Sequence, residues 1–280
     1  PRHEGDSDPY EAFESAVGDD GDGLPFGSEQ ALAEAFTLEA AGKLRWTPGM
    51  DWMVNTGPHW VRDDHLSRYT SAKQVCKSAA AGLDSAKLAA EICAASTANA
   101  LLMLARSAPG IVTPVGEWDK HPMLLNTPTH VIDLEAGRAV SRDGLLFTQA
   151  TRIAPQRMAT QTWDKFVSEV FGGDLEMVEF IQRMAGYALT GSIKEQKLFF
   201  LHGSGSNGKS VFLDVLRAIG GTYSHNLPSE ALMTSKHESH PTVLASLHGK
   251  RLALSSEIED SAHWAESRIK RLTGDETLTA

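Results

Sequence analysis

Cysteine is nearly absent from this chain: two residues, Cys76 and Cys93, in 280. Two thiols without a partner pattern make no disulfide framework, which excludes a small stapled scaffold and suits a reducing compartment. Long apolar runs are missing too. No stretch approaches the roughly 18 residues a membrane span requires, and no basic-then-apolar leader opens the sequence. The chain begins at Pro1 rather than Met, so it is expected to be a piece of a longer protein. Basic residues are scarce in one place only. Residues 1–40 hold eleven of the 36 acidic side chains and one of the 26 basic ones. The formal net charge of −10 therefore belongs to that stretch, and the remainder is balanced. A neutral body can carry a local basic surface, so net charge neither supports nor excludes a nucleic-acid partner.

What is present is ordinary for a globular protein: 41% apolar and 22% charged residues. A chain of this length has room for two domains, or one with a helical lead-in. Residues 1–28, rich in Asp, Glu, Gly, Ser and Pro, read as an acidic disordered linker. Residues 29–191 read as a mainly helical accessory domain with short strands. There, Ser28 is placed to cap a helix reaching Leu44. "DWMVNTGPHWVRD" suggests two short strands around Thr56-Gly57-Pro58, with Trp52 near Trp60. His65–Ala81 and Asp84–Arg106 look helical, and Cys76 and Cys93 upon them read as small core residues rather than nucleophiles. "IVTPVGEWD" and "LLNTPTHVIDLEAGR" follow as short strands and turns. Gln161–Phe171 and Asp174–Leu189 are amphipathic helices parted by Gly172-Gly173.

Near residue 192 the pattern changes. "KLFFL", ending at Leu201, is a buried-strand run. "SVFLDVLRAIGG" is a helix with Val211, Leu213, Val215, Leu216 and Ile219 on its apolar face, stopped by Gly220-Gly221. Between them stands "HGSGSNGKS", in which Gly203-x-x-x-x-Gly208-Lys209-Ser210 has the spacing of a phosphate-cradling loop. Each part has a chemical reason. Backbone N–H groups of Gly203, Ser204, Gly205, Ser206, Asn207 and Gly208 can turn toward phosphate oxygens. The helix that follows presents its N-terminus, where unpaired N–H groups and the dipole favour anions. Lys209 can reach β- and γ-phosphates, and the Ser210 hydroxyl can ligate Mg²⁺. "KRLALSSEIED" reads as a second buried strand ending in a carboxylate. Glu257, the first acid after it, is expected to hold Mg²⁺ or orient water, with Glu259 as the alternative. His237 and His240 in "SKHESHP" fit no zinc spacing and read as polar loop residues.

Taken in order, these segments resemble the phage and plasmid primase-helicases, with their poxvirus-type superfamily 3 ATPases. The resemblance rests on Gly186-Tyr187-Ala188-Leu189-Thr190-Gly191, Gln196-Lys197 and Asn207–Ser210. It extends upstream to "LLNTPTHVIDLEAGR" and downstream to "LPSEAL", "KRLALSSEIED" and "IKRLTGDETLTA". It implies that residues 192–280 are the N-terminal half of an α/β P-loop NTPase core, AAA+-like and incomplete, ending within the third helicase motif at Ala280. It also implies ATP and Mg²⁺ as cofactors, Lys209 and Glu257 as catalytic residues, and single-stranded DNA as partner. The third motif would be a hairpin with Lys270, Arg271, Thr273 and Gly274 facing DNA. Further implications are a homo-oligomeric ring (commonly a hexamer) in the full-length protein, a primase domain or partner, and the cytoplasm of a bacterial host. Two rivals stand beside this reading: a nucleotide-dependent DNA loader that does not unwind, and a small-molecule P-loop kinase.

Overall fold

The computed structural model describes residues 24–234, 245–255 and 263–274. Most of the linker read at 1–28 therefore lies outside the described residues. The chain packs as two compact units, one ending at Trp118 and one starting at Asp119. That division falls inside the stretch read above as one accessory domain.

In the first unit, helix α1 (Glu29–Glu39) starts at Ser28, whose Oγ accepts from the Ala31 amide at 3.3 Å and satisfies one orphan donor. The helix ends before Leu44, which instead opens strand β1 (Leu44–Thr47). β1, β2 (Asp51–Asn55) and β3 (Trp60–Arg62) form an antiparallel sheet in chain order. Its register explains why Trp52 and Trp60 do not meet as expected. Trp60 stands opposite Asn55, three residues from Trp52, so the two rings fall on opposite faces of the pleat. Trp52 packs edge-on against Phe36 at 5.8 Å, and Trp60 against Trp118 at 5.7 Å.

Helices α2 (Ser67–Ala80), α3 (Ala86–Ile92) and α4 (Ala95–Ala105) complete the first core, with Leu32, Phe36, Val75, Leu101 and Ile111 at its centre. The start of α2 is held by Asp63 from outside the helix. Its carboxylate accepts from the Ser67 amide at 2.7 Å, the Arg68 amide at 3.0 Å and the Arg68 guanidinium at 3.2 Å. Burial pushes this carboxyl pKa up, but these donors outweigh burial and hold it below the usual value. The single helix expected over Asp84–Arg106 is two, bent by 49°. Ala94 turns extended before α4, and the Glu91 carbonyl accepts from the Thr97 hydroxyl at 2.8 Å. The break corrects the reading of Cys93, which is exposed at the bend, whereas Cys76 is buried. Among the described residues no single helix is long and apolar enough to cross a membrane; α3 and α4 pass that test only as a bent pair.

The second unit opens with an antiparallel meander of β4 (Leu124–Asn126), β5 (Val131–Asp133) and β6 (Arg138–Val140). Asn126 is fully buried and fully used. It donates to the Gln149 carbonyl at 2.8 Å and accepts from Arg142 Nε at 3.1 Å, while its amide meets the Tyr223 hydroxyl at 3.2 Å. Helix α5 (Gln161–Val170) precedes α6 (Leu175–Ala188), which Asp174 caps by accepting from the Met177 amide at 3.1 Å. Then come α7 (Lys209–Gly220), β7 (Ser224–Asn226), β8 (Leu252–Leu254) and α8 (Glu266–Thr273). β7 and β8 pair in parallel.

Here the structure departs from the sequence reading. "KLFFL" joins no ladder, and Leu198, Phe199 and Phe200 are exposed. A strand needs a neighbour for its N–H and C=O groups, and no described strand lies beside this run. Its rings settle instead on Phe180 at 6.2 Å and Trp264 at 6.1 Å. β8 is half-buried rather than buried, since only one partner strand flanks it among the described residues.

Arg251, at the head of β8, fastens three elements. Its guanidinium donates to the Leu189 carbonyl after α6 and to the Leu124 carbonyl of β4, both at 2.6 Å. It also lies 4.4 Å from the Tyr223 ring centroid. Burial lowers its pKa, opposed by Tyr223 and Asp119. This geometry gives the Gly-Tyr-Ala-Leu-Thr-Gly stretch a structural reason. Leu189 offers its carbonyl to Arg251, the Thr190 hydroxyl closes onto the Tyr187 carbonyl at 2.8 Å, and the Gly191 amide reaches the Pro122 carbonyl at 2.7 Å.

Candidate functional site

The glycine loop leads directly into α7, whose first residue is Lys209. Gly208 precedes it at φ +82°, and no side chain caps the helix, so the first-turn amides have no intrahelical partner. Gly208 is required twice over. Its backbone is left-handed, and a Cβ there would stand 2.6 Å from Val170 and 3.3 Å from Phe166 of α5. Ser206 also adopts a left-handed conformation, at φ +59°, uncommon for a residue with a side chain. Lys209 folds back over the loop. Its ammonium donates to the Gly203 carbonyl at 3.1 Å, the Ser204 carbonyl at 3.4 Å and Asn207 Oδ1 at 2.7 Å. Ser204, Gly205, Ser206 and Ser210 are exposed around this cation.

What fixes the loop is the underside of α7. Phe212 is buried, stacked on Trp163 at 6.0 Å and edge-on to Phe171 at 5.9 Å. Ile181 and Met184 of α6 close the cluster. The sequence reading omitted Phe212 and placed Val211 on the apolar face, yet Val211 is 53% exposed. Counting from Phe212 through Leu216 to Ile219 recovers the inward stripe, by the i, i+4, i+7 spacing of a helix. Beside the cluster lies an apolar cavity of about 620 Å³, lined by residues such as Val167, Ile181, Phe212, Leu216 and Leu252.

The other anticipated residues are placed as follows. Glu257, with Ser256, Glu259 and Asp260, lies outside the described residues, as do His237, His240 and the third motif from Asp275 onward. Lys270 and Arg271 are exposed in the last turn of α8, a helix where a hairpin was expected. The Thr273 hydroxyl donates to the Ile269 carbonyl at 3.0 Å, and Gly274 ends the helix in extended conformation. The helix follows from its own sequence: Ile269 and Leu272 pack on the Leu227–Met233 cluster. Residues that sequence reasoning missed are Arg251 and Tyr223, whose partners are remote in the chain.

The helical and small-sheet lead-in ahead of the glycine loop is the part of the chain that a known family matches. Residues 30–172, just over half the chain, match the family described as D5 N terminal like, and the chain belongs to that family. The family is associated with phage and plasmid primase-helicase proteins. Residues 201–280 match a family of unknown function, DUF5906. A search of curated proteins found no match.

Proposed function

We propose that residues 192–280 are the first half of a superfamily 3 helicase motor, a P-loop ATPase that couples ATP hydrolysis to movement on single-stranded DNA within a primase-helicase. Residues 29–191 would be its accessory domain. The observation that carries this reading is Lys209, held over an exposed loop at the uncapped start of α7. Its present partners are two carbonyls and an amide oxygen, all neutral. Phosphate oxygens are stronger acceptors because the hydrogen bond is charge-assisted on both sides. Lys209 can therefore exchange those partners for the β- and γ-phosphates, while loop and first-turn amides receive the remaining oxygens. The Ser210 hydroxyl suits Mg²⁺, and Glu257 is assigned to Mg²⁺ or to the attacking water. ATP with Mg²⁺ supplies the transferable phosphoryl group. Lys270 and Arg271 are assigned to the DNA phosphates, and the full-length protein to a ring, with a primase domain or partner, in the host cytoplasm.

The first test is a calorimetric titration of ATP–Mg²⁺ against Lys209→Ala. Loss of the charge-assisted contacts should remove about 1.5–3 kcal/mol, roughly ten- to a hundredfold in affinity. Unchanged affinity would mean that the loop is not the nucleotide site. Hydrolysis stimulated by single-stranded DNA, and strand displacement, then separate a motor from a kinase or a passive loader.

A further inference from the structure

Helix α7 has a second end. Its 12 residues span about 18 Å, so its C-terminus is remote from the glycine loop. There an open cleft of about 470 Å³ is lined by Arg152, Arg217, Ser224, His225 and Asn226 among others, with no carboxylate in the lining. Its rim is built firmly. The Ala150–Arg152 segment crosses the helix end, with the Arg152 amide on the Ile219 carbonyl at 3.1 Å and the Thr222 amide on the Ala150 carbonyl at 3.0 Å. Only glycine permits the crossing at Gly221, where φ is +56° and a Cβ would meet the Arg152 nitrogen at 2.5 Å.

Two observations point to an anionic ligand. First, two arginines line the cleft, Arg152 and Arg217. Arg217 donates to Asp214 at 2.9 Å, but both partners of that bridge are about half exposed. Such a pair is weak and engages one of the five guanidinium N–H groups. Second, the Ser224 hydroxyl oxygen is buried beside Gly220 without a hydrogen-bond partner among the described residues, and Ser224 lines both this cleft and the apolar cavity. A buried hydroxyl left unmet is costly, and a turn of the Ser224 side chain into the cleft would let a ligand oxygen satisfy it. The carbonyl end of α7 opposes an anion, but it amounts to about half a charge against two guanidinium charges, of which Arg152 has no carboxylate in the cleft lining and Arg217 shares its own with Asp214.

We propose that this cleft is a second phosphate site, distinct from the glycine loop. It would take either the backbone phosphate of a nucleic-acid strand or a free polyphosphate. Arg152 and Arg217 contact the phosphate oxygens, and the Ser224 hydroxyl donates to one of them. The assignment does not depend on what the glycine loop binds.

The test uses the full chain carrying Lys209→Ala, so that the loop competes less, and titrates pyrophosphate and a twelve-residue oligothymidylate at low salt. Arg152→Ala should weaken at least one of the two by about tenfold, the value of one charge-assisted contact, and Ser224→Ala should weaken the same ligand. Arg152→Lys should restore part of the loss. Loss confined to the oligonucleotide, with a salt slope smaller by about one, assigns the site to a strand; loss for pyrophosphate assigns it to free polyphosphate. With Lys209 intact, Arg152→Ala should leave ATP affinity unchanged, which separates this cleft from the loop. The proposal is overturned if the Arg152→Ala, Arg217→Ala double variant, shown folded by circular dichroism, binds both ligands as tightly as its parent. It is equally overturned if the parent binds neither.

Discussion

Asp63 shows how one residue can decide the start of a helix. α2 opens after Leu66, a residue with no capping atom and φ +57°, and Asp63 supplies the missing acceptor for two of the orphan amides. Asp63→Ala should destabilise the protein by about 1–3 kcal/mol, the cost of leaving buried donors unmet, as read from urea unfolding. The pH dependence has a definite sign. Because the folded pKa is depressed, the carboxylate's contribution is present at neutral pH and is lost as pH falls through the folded value. Asp63→Asn should therefore lose less stability than the parent on acidification below about pH 4; equal losses would mean that Asp63 is not held as an anion. The two thiols differ just as plainly. Burial pushes Cys76 up to about 11, so it stays protonated, while Cys93 is exposed at the α3–α4 bend. Iodoacetamide at neutral pH should label Cys93 and spare Cys76, as peptide mapping would show.

Among elements, Arg251 is the side chain on which the second unit most depends. It joins β8 to β4 and to the end of α6 through two short hydrogen bonds and a ring contact. Arg251→Ala should cost about 2–4 kcal/mol, and Arg251→Lys should recover little, since an ammonium lacks the planar fork that spans both carbonyls. A substitution that leaves the melting temperature unchanged would remove this role. None of this was legible beforehand, because Leu124, Leu189 and Tyr223 are separated from Arg251 along the chain and no local pattern links them. The helices with strong 3.6-residue periodicity or a polar cap were legible: α1 by Ser28, α6 by its amphipathic spacing after Gly172-Gly173, α7 by its glycine boundaries. The α3–α4 break was not, for the alanine-rich run carries neither glycine nor proline to announce it. "KLFFL" misled for a different reason. An apolar run reads identically whether or not a neighbouring strand exists to receive it. The glycine loop could be singled out because its spacing is contiguous, whereas the arginine cleft is assembled from residues far apart in sequence.

At the level of the whole molecule, the loop and both clefts of α7 belong to the unit that begins at Asp119. Saturating ATP–Mg²⁺ should therefore slow amide exchange across residues 203–212 and α5, on which the loop rests. Free ligand at a hundred times the dissociation constant adds about 2.7 kcal/mol to the bound form, enough to slow opening events of that region measurably. Residues 29–105 should exchange at unaltered rates. Protection in the first unit alone would place the nucleotide elsewhere.

The stacking of Trp163 on Phe212 has an optical consequence. Trp46, Trp52, Trp60 and Trp118 lie before Asp119, leaving Trp163 and Trp264 after it. Trp163 contacts a ring three residues into the helix that Lys209 opens, so any shift of that helix alters the packing around one indole. With Trp264 replaced by phenylalanine, a change in emission on adding ligand would be read against a background from the first unit alone. The protein thus carries its own fluorophore beneath the loop, and the first turn of α7 can be followed without any attached dye.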